Sequence, residues 1–205
     1  MASRRLGIGI VRAVGVALLA SLTGCASVAV VGKRMDAGGD VTVSALQVYS
    51  FIPLHTMGSE RLYRDAQRFD GALVRRLNDA KVSAVAVDVE ALVRRDGLAV
   101  DVSVSDREGR KRSFILPERE VLAADQPAAA VSAATHRLVI LPSRVIVDRS
   151  TGVTHGVLHW RLEPTATDAS PVAVGLIRYT ADARGFPAPR MARELVLKLQ
   201  TLGMR

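Results

Sequence analysis

Residues 59–80 read SERLYRDAQRFDGALVRRLNDA, the clearest secondary-structure signal in the chain. Ser59 is a residue type that caps helix N-termini, and Glu60 follows it in the first turn. Apolar residues then repeat at helical spacing along one stripe: Leu62, Ala66, Phe69, Leu73 and Leu77. We therefore predict a long helix that buries this stripe against another layer of structure.

The same helix carries a second stripe, made of arginines. Arg61, Arg64, Arg68 and Arg75 fall within about 60° of one another at 100° per residue. Four guanidinium groups on one ridge could dock phosphates or the acidic groups of a partner. The alternative is a solvated face whose charge is partly neutralised by two flanking acids, Asp65 and Asp70.

The segments on either side of this helix predict a sheet and a second long helix. Alternating or valine-rich patterns predict strands at 41–49, 82–89, 98–104, 112–116, 137–147, 153–163 and 172–180. Short helices are expected within 117–134, and a closing helix begins at Pro189 and ends at Gly203. Because each long helix has one apolar stripe, we expect an α+β fold: a two-layer sandwich with a mostly antiparallel sheet covered by an early helix and a C-terminal helix.

The connection at 50–58 is unusually apolar for a loop, since Phe51 and Leu54 flank Pro53. If these side chains are exposed, they form a candidate contact site for protein or lipid. The alternative is that both fold back onto the core.

The N-terminus has the pattern of a secretion signal. Arg4 and Arg5 precede an apolar run at 13–22, which is shorter than the roughly 20 residues that span a bilayer. The run ends in Leu22-Thr23-Gly24-Cys25, which contains the only cysteine of the chain. This phrase resembles the lipobox of bacterial lipoproteins. A transmembrane helix with an incidental cysteine is the alternative, and Arg12, which interrupts the longer apolar stretch 6–22, counts against it.

The lipobox resemblance implies a complete anchoring scheme. Residues 1–24 would be a signal peptide that is cut off before Cys25, and Cys25 would receive a diacylglyceryl group and an N-acyl chain such as palmitate. Ser3-Arg4-Arg5 suggests the twin-arginine export route as an alternative, but Gly7 and Gly9 break the hydrophobic continuation of that motif, which favours the general secretory route. Ala26 after the cysteine implies sorting to the outer membrane, facing the periplasm. Residues 25–40 then form the lipidated cysteine and a tether, and residues 41–205 form a single domain. The order of elements in that domain resembles the small α/β accessory lipoproteins of Gram-negative export and transport systems.

Side chains that could support catalysis or metal binding are few. His155 and His159 have the spacing H-x₃-H, but in a strand their rings lie about 13 Å apart, too far to share one ion. The chain holds no Gly-x-Ser-x-Gly, P-loop or Gly-x-Gly-x-x-Gly motif. We expect no enzyme activity, no metal and no cofactor beyond the acyl chains on Cys25.

Composition and charge limit the classes of partner that we expect. The net charge of +8 falls to about +5 without the three leader arginines, and nucleic acid is not expected as a partner in the cell envelope. The leading hypothesis is a non-enzymatic accessory or assembly subunit of an envelope complex, with an unidentified protein partner. One alternative is a lipid- or glycan-binding lipoprotein with Trp160, Tyr179 or Phe186 near a pocket mouth. A hydrolase without a recognisable motif is the remaining one.

Overall fold

The computed structural model describes residues 27–35, 40–55, 60–105, 110–131, 133–148, 150–166, 169–181 and 185–205. Its strands, all in one sheet, are β1 (Val28–Arg34), β2 (Ala45–Ser50), β3 (Ser83–Val87), β4 (Asp101–Ser105), β5 (Arg110–Ile115), β6 (His136–Val147), β7 (Thr154–Pro164) and β8 (Ala173–Ala181). Its helices are α1 (Ile52–His55), α2 (Glu60–Asp79), α3 (Val89–Arg95), α4 (Glu118–Val131) and α5 (Ala188–Thr201). The predicted α+β class, the mostly antiparallel sheet and the C-terminal helix are confirmed.

Strand β6 is the centre of the sheet. The order is β1-β8-β7-β6-β2-β3, and β7 pairs with β6 along its whole length. On its other side, residues 136–140 pair in parallel with β2, while residues 144–147 pair antiparallel with β5. The change of partner coincides with a bulge between Pro142 and Arg144. Proline cannot donate to a ladder, so it suits a break of this kind.

The main core lies between one face of the sheet and helices α2 and α5. The predicted stripe of α2 is buried at Ala66, Phe69, Leu73 and Leu77. On α5, Met191, Leu195 and Leu199 are buried in the same cluster. The two apolar stripes thus act as the sequence predicts, although the side chain of Leu62 lies outside the described residues.

An aromatic ring crosses the backbone of two glycines on this inner face. Pairing places Trp160 of β7 beside Gly175 of β8, and Gly175 beside Gly32 of β1. A Cβ added at Gly175 would lie 2.5 Å from the indole and 2.1 Å from the Val31 carbonyl oxygen, and one at Gly32 would lie 2.3 Å from the indole. Since real side chains do not approach so closely, only glycine fits at either position. Tyr179 lies over Gly156 in the same way.

Residues 25–40 contain a strand, which corrects the prediction of a tether there. Val28–Arg34 forms β1 and pairs antiparallel with β8. Its small residues resemble a linker in sequence. In the structure Val28 and Val30 pack against the core, and Gly32 leaves room for the indole of Trp160.

A second, smaller core lies on the opposite face, which we call the outer face. Helices α3 and α4 cover β2 and β6 there, a layer that the sequence analysis did not predict. Phe51 is 0% exposed and Leu54 is 1% exposed, both within this cluster. The loop at 50–58 turns into α1 at Ile52, and the Phe51 N–H donates to the Ile140 carbonyl at 2.9 Å. Phe51 and Leu54 are therefore core residues and not an exposed contact site.

A helix that spans a membrane must be both long and apolar. None of the helices of the described residues is both long enough and apolar enough to cross a bilayer.

The close approach of Trp160 to Gly175 generates a test of packing. Gly175→Ala should lower the free energy of unfolding by about 1–3 kcal/mol, because the new methyl group overlaps the ring and a backbone oxygen. Gly71→Ala is the matched control, since its Cβ would meet only Arg75 Nη1, at 3.9 Å, on a helix that favours alanine. Urea unfolding followed by Trp160 fluorescence measures both, and equal effects would contradict the packing argument.

Candidate functional site

The outer face of the sheet is covered only in part. Helices α3 and α4 lie over β2 and β6, whereas no described residue packs as a layer over β7, β8 and β1. Val31 of β1 is 52% exposed as a result. An apolar side chain held at the surface by a rigid strand is a candidate contact point.

Strand register arranges the outer-face residues of β6, β7, β8 and β1 in four rows. Listed from the Arg34 end of β1 to its Val28 end, the first row is Val139, Arg161, Val174 and Lys33; the second is Leu141, His159, Leu176 and Val31; the third is Arg144, Val157, Arg178 and Ala29; the fourth is Ile146, His155, Thr180 and Ser27. The second row is mostly apolar, and the third presents two arginines.

The first two rows form the floor of a depression, which we call the sheet groove. Its volume is about 790 Å³, and Leu116 and Glu118 at the start of α4 close one side of it. The apolar lining includes Leu116, Val139, Leu141, Pro142, Trp160, Val174, Leu176 and Val31. Lys33, His159 and Arg161 supply polar groups along the floor. The groove has the size of a site for an amphiphile or a short extended peptide.

A chain of charges crosses the sheet at one end of the groove. Glu163 is 5% exposed and accepts hydrogen bonds from Arg137 Nε and, at 2.7 Å, from Arg161 Nε. Arg161 Nη2 also donates to Glu118 on α4. The charge of Arg161 is thus balanced by two carboxylates, which fix the start of α4 at the edge of the groove.

Helix α4 is held at a second point by a buried tyrosine. The Tyr49 hydroxyl on β2 donates to Asp125 Oδ2 at 2.6 Å, and both residues are buried. Burial, followed by the hydrogen bond to Asp125, raises the pKa of Tyr49, so its hydroxyl stays protonated and can donate. The two polar links give α4 a defined position beside the open strands.

The arginine stripe lies on the other side of the molecule, on α2. Arg64, Arg68 and Arg75 are exposed, whereas the side chain of Arg61 lies outside the described residues. Arg68 pairs with Asp65 at 3.2 Å, as the sequence analysis expects for a partly neutralised ridge. The structure places this stripe away from the sheet groove. A recognition role for the stripe stays a prediction.

The remaining predicted site residues are placed as follows. His155 and His159 lie on β7, where a strand was predicted, and both are exposed on the outer face. No group of three or more His, Cys, Asp or Glu in the described part of the chain is arranged to hold a metal ion. The lipobox residues Leu22, Thr23, Gly24 and Cys25 lie outside the described residues.

Asp70 faces inward, not toward the arginines that it was expected to neutralise. It lines a cavity of about 320 Å³ between α1, α2, β3 and α3, together with Ser50, Tyr63 and Glu90. Asp70 Oδ1 and Ser50 Oγ are buried and have no hydrogen-bond partner among the described residues. Burial raises the pKa of Asp70 to about 7, and the nearby Ser50 hydroxyl offsets part of this rise.

Sequence reasoning missed the groove and the charge chain. Both depend on the register of β6, β7, β8 and β1, which a single sequence does not give. One signal was available, since Leu138 to Leu141 is an uninterrupted apolar run. Such a run indicates a strand buried on both faces, and hence a second layer over β6.

Comparisons with known proteins show only distant similarity in structure. No protein-family model matches the chain, and no curated protein matches it. A PelC dodecamer from Paraburkholderia phytofirmans has 12% identity and a TM-score of 0.41, over 88% of this chain and 99% of that one. Lipoprotein GNA1162 from Neisseria meningitidis has 9% identity and a TM-score of 0.43, over 78% of this chain and 97% of that one. At such scores neither similarity supports an inference about function.

The charge chain predicts that neutralising Glu163 strongly destabilises the folded protein. Glu163→Gln should lower the free energy of unfolding by about 3 kcal/mol, since two largely buried guanidinium groups lose their shared anion. Glu194→Gln, which removes the exposed partner of Arg193, should cost less than about 1 kcal/mol. Urea titration of both variants is the measurement, and a small loss for Glu163→Gln would contradict the role given to the chain.

The inward position of Asp70 predicts an unusual pH dependence. Its folded pKa exceeds the unfolded value, so the folded state binds the proton more tightly, and stability falls as pH rises from about 4 to 7. Asp70→Asn should remove this fall and be more stable than the parent at pH 8, by on the order of a few kcal/mol.

Asp148 provides the control of opposite sign. Hydrogen bonds from the Ser150 side chain and backbone lower the pKa of Asp148 to about 2, so its contribution is lost as pH drops from about 4 to 2. Asp148→Asn should change the pH dependence of stability only between about pH 4 and 2. Thermal unfolding across pH 2–9 distinguishes the two, and an unchanged profile between pH 4 and 7 in Asp70→Asn would refute the inward-facing assignment.

Proposed function

We propose that this chain is a lipid-anchored protein of the cell envelope that acts as a non-enzymatic accessory or assembly subunit. Its signal peptide, residues 1–24, is removed, and acylated Cys25 holds it in the outer membrane, facing the periplasm. Support for the anchor comes from the sequence Leu22-Thr23-Gly24-Cys25. The acyl chains are the only non-protein groups in the proposal, and nucleic acid and metal have no part in it.

One observation carries the accessory role: the sheet groove opens beside β1, a strand that ends the sheet. Within the described residues β1 pairs only with β8, so its other edge presents unpaired backbone groups. An extended segment of a partner could pair with this edge and place alternate side chains on the outer face beside Val31, at the open side of the groove. This geometry favours a protein segment as the occupant, because a lipid cannot use the backbone groups.

The engagement of the polar groups at the sheet groove supports the non-enzymatic part of the proposal. Arg161 binds both Glu118 and Glu163, so these three side chains balance one another's charge within the fold. His159 stands on the groove floor between the apolar residues Leu141 and Leu176. A general base needs a nucleophile within hydrogen-bond reach, and the two neighbours of His159 across the strands supply none.

A lipid carrier is the second candidate, favoured by the apolar lining and the 790 Å³ volume of the groove. A glycan-binding version loses its support. Trp160 and Tyr179 are buried in the inner core, and Phe186 packs edge-on against Tyr179 with ring centroids 4.8 Å apart. None of the three rings is free to stack on a sugar.

The test is crosslinking in the native envelope, followed by detergent extraction through a C-terminal affinity tag and mass spectrometry. We expect a stoichiometric envelope protein that is lost in Cys25→Ser. It should also be lost in Val31→Glu and Leu176→Glu, which place charge in the groove.

Val85→Glu is the matched control for these groove variants. Val85 is 63% exposed on β3, the strand at the opposite edge of the sheet, and its substitution should leave the partner in place. Recovery of the parent protein alone would refute the accessory role. Recovery with bound phospholipid that Val31→Glu and Leu176→Glu remove would favour the lipid carrier.

A further inference from the structure

Ser27, the first residue that the structure describes, limits the distance between the domain and the anchor at Cys25. The Ser27 carbonyl accepts a hydrogen bond from the Thr180 N–H at 2.9 Å, and the Ser27 hydroxyl donates to Thr180 Oγ1 at 3.0 Å. Cys25 precedes Ser27 by two residues, so their Cα atoms are at most about 7 Å apart. If Cys25 carries acyl chains, this end of the sheet must lie at the surface of the bilayer.

Two arginines mark that end of the outer face, which we call the membrane end and define as the rows containing Arg144 and His155. Arg144 and Arg178 share one row, separated by Val157 of β7, and both are exposed. Neither forms an ion pair with any residue that the structure describes. Their charges are therefore available to an external anion.

The same end holds a polar depression. Arg144 and Arg178 line a cavity of about 750 Å³ together with Ser27, Ser143, His155 and Thr180.

One described acid, Asp148, lies at this end as well, and its Oδ1 accepts hydrogen bonds within a turn. Asp148 accepts hydrogen bonds from the Ser150 N–H at 2.8 Å and the Ser150 hydroxyl at 2.7 Å within the turn after β6. At the far end of β1, in contrast, Arg205 pairs with Asp40 at 2.9 Å. Arg144 and Arg178 thus present two positive charges near the anchor that no described carboxylate pairs with.

We propose that the domain rests directly on the leaflet that holds its anchor, with Arg144 and Arg178 bound to the phosphate groups of anionic lipid headgroups. The inference rests on the proposed function, because it requires acylated Cys25. Guanidinium groups suit this contact, since they bind phosphate oxygens through parallel hydrogen bonds. The anchor supplies the headgroups at high effective concentration, which favours lipid over phosphate in solution.

This arrangement would also set the orientation of the sheet groove. The groove occupies the rows next to the membrane end on the same face, so a docked domain presents it just above the headgroups. A partner in the same membrane could then reach it with a short segment.

The experiment uses the lipidated mature protein, reconstituted in vesicles of phosphatidylcholine with 30% phosphatidylglycerol. Cys25 is the only native cysteine, so one introduced cysteine is the only free thiol of the lipidated protein. A fluorophore is attached at Thr151→Cys, in the turn at the membrane end, or at Gln200→Cys, near the distal end of α5. Quenching by a nitroxide on the lipid headgroup reports which label lies near the membrane.

We expect strong quenching at position 151 and weak quenching at position 200. Arg144→Gln with Arg178→Gln should lower the ratio of docked to undocked protein about 30-fold, since each basic residue near an anionic leaflet contributes about fivefold. Vesicles of pure phosphatidylcholine should have a similar effect. Arg75→Gln with Arg76→Gln, which removes the same charge from α2, is the matched control and should change nothing.

The outcomes separate the inference from the proposed function. A mature protein whose mass lacks the acyl groups would overturn the anchor and the inference together. An acylated protein with equal quenching at both labels, or with no response to the Arg144 and Arg178 variants, would overturn only the docking. Loss of quenching in the Arg75 and Arg76 control alone would assign lipid contact to the α2 ridge and refute the membrane end.

Discussion

The contact of one indole ring with two glycines is the constraint on which the arrangement of β7, β8 and β1 depends. Trp160 needs Gly175 and Gly32 beside it, because a Cβ at either position would overlap the ring. The ring therefore ties β7, β8 and β1 into one register. That register places Val31 and Leu176 in the groove row and Arg178 in the next row. The sheet groove and the membrane end are both consequences of how one side chain packs on the inner face.

The outer face is organised by polar contacts as well as apolar ones. Helix α4 has its own small core, but two polar links fix its position, one through Tyr49 and Asp125 and one through Glu118 and Arg161. Such links constrain the orientation of α4 more strongly than apolar burial does, because a hydrogen bond requires defined geometry. The edge of the groove is consequently set by charge, whereas its floor is set by the strands.

The sequence predicted the elements of the fold better than their arrangement. The helix periods of α2 and α5 and the meander of β6, β7 and β8 were readable because long amphipathic patterns are strong signals. Strand β1 was missed because Ala29 and Gly32 give it the composition of a linker, and only the indole of Trp160 explains that composition. Helix α3 was missed because seven residues are too few to show a period. The groove was not predictable, since it is built from residues of four strands whose register is a tertiary property. The inward turn of Asp70 likewise depends on the packing of α2 against β3, which its helical position alone does not reveal.

The pairing of β1 with β8 has a consequence for the order of events during biogenesis. Val28 is among the first residues of the domain to be made, whereas its partner Tyr179 is among the last. Non-local pairs of this kind form late, because a long loop must close first. In the proposed export route, the segment next to Cys25 therefore stays unpaired while most of the chain crosses the inner membrane. The acylating and cleaving enzymes would meet an extended substrate, and the strand would close onto the sheet only after their work is done.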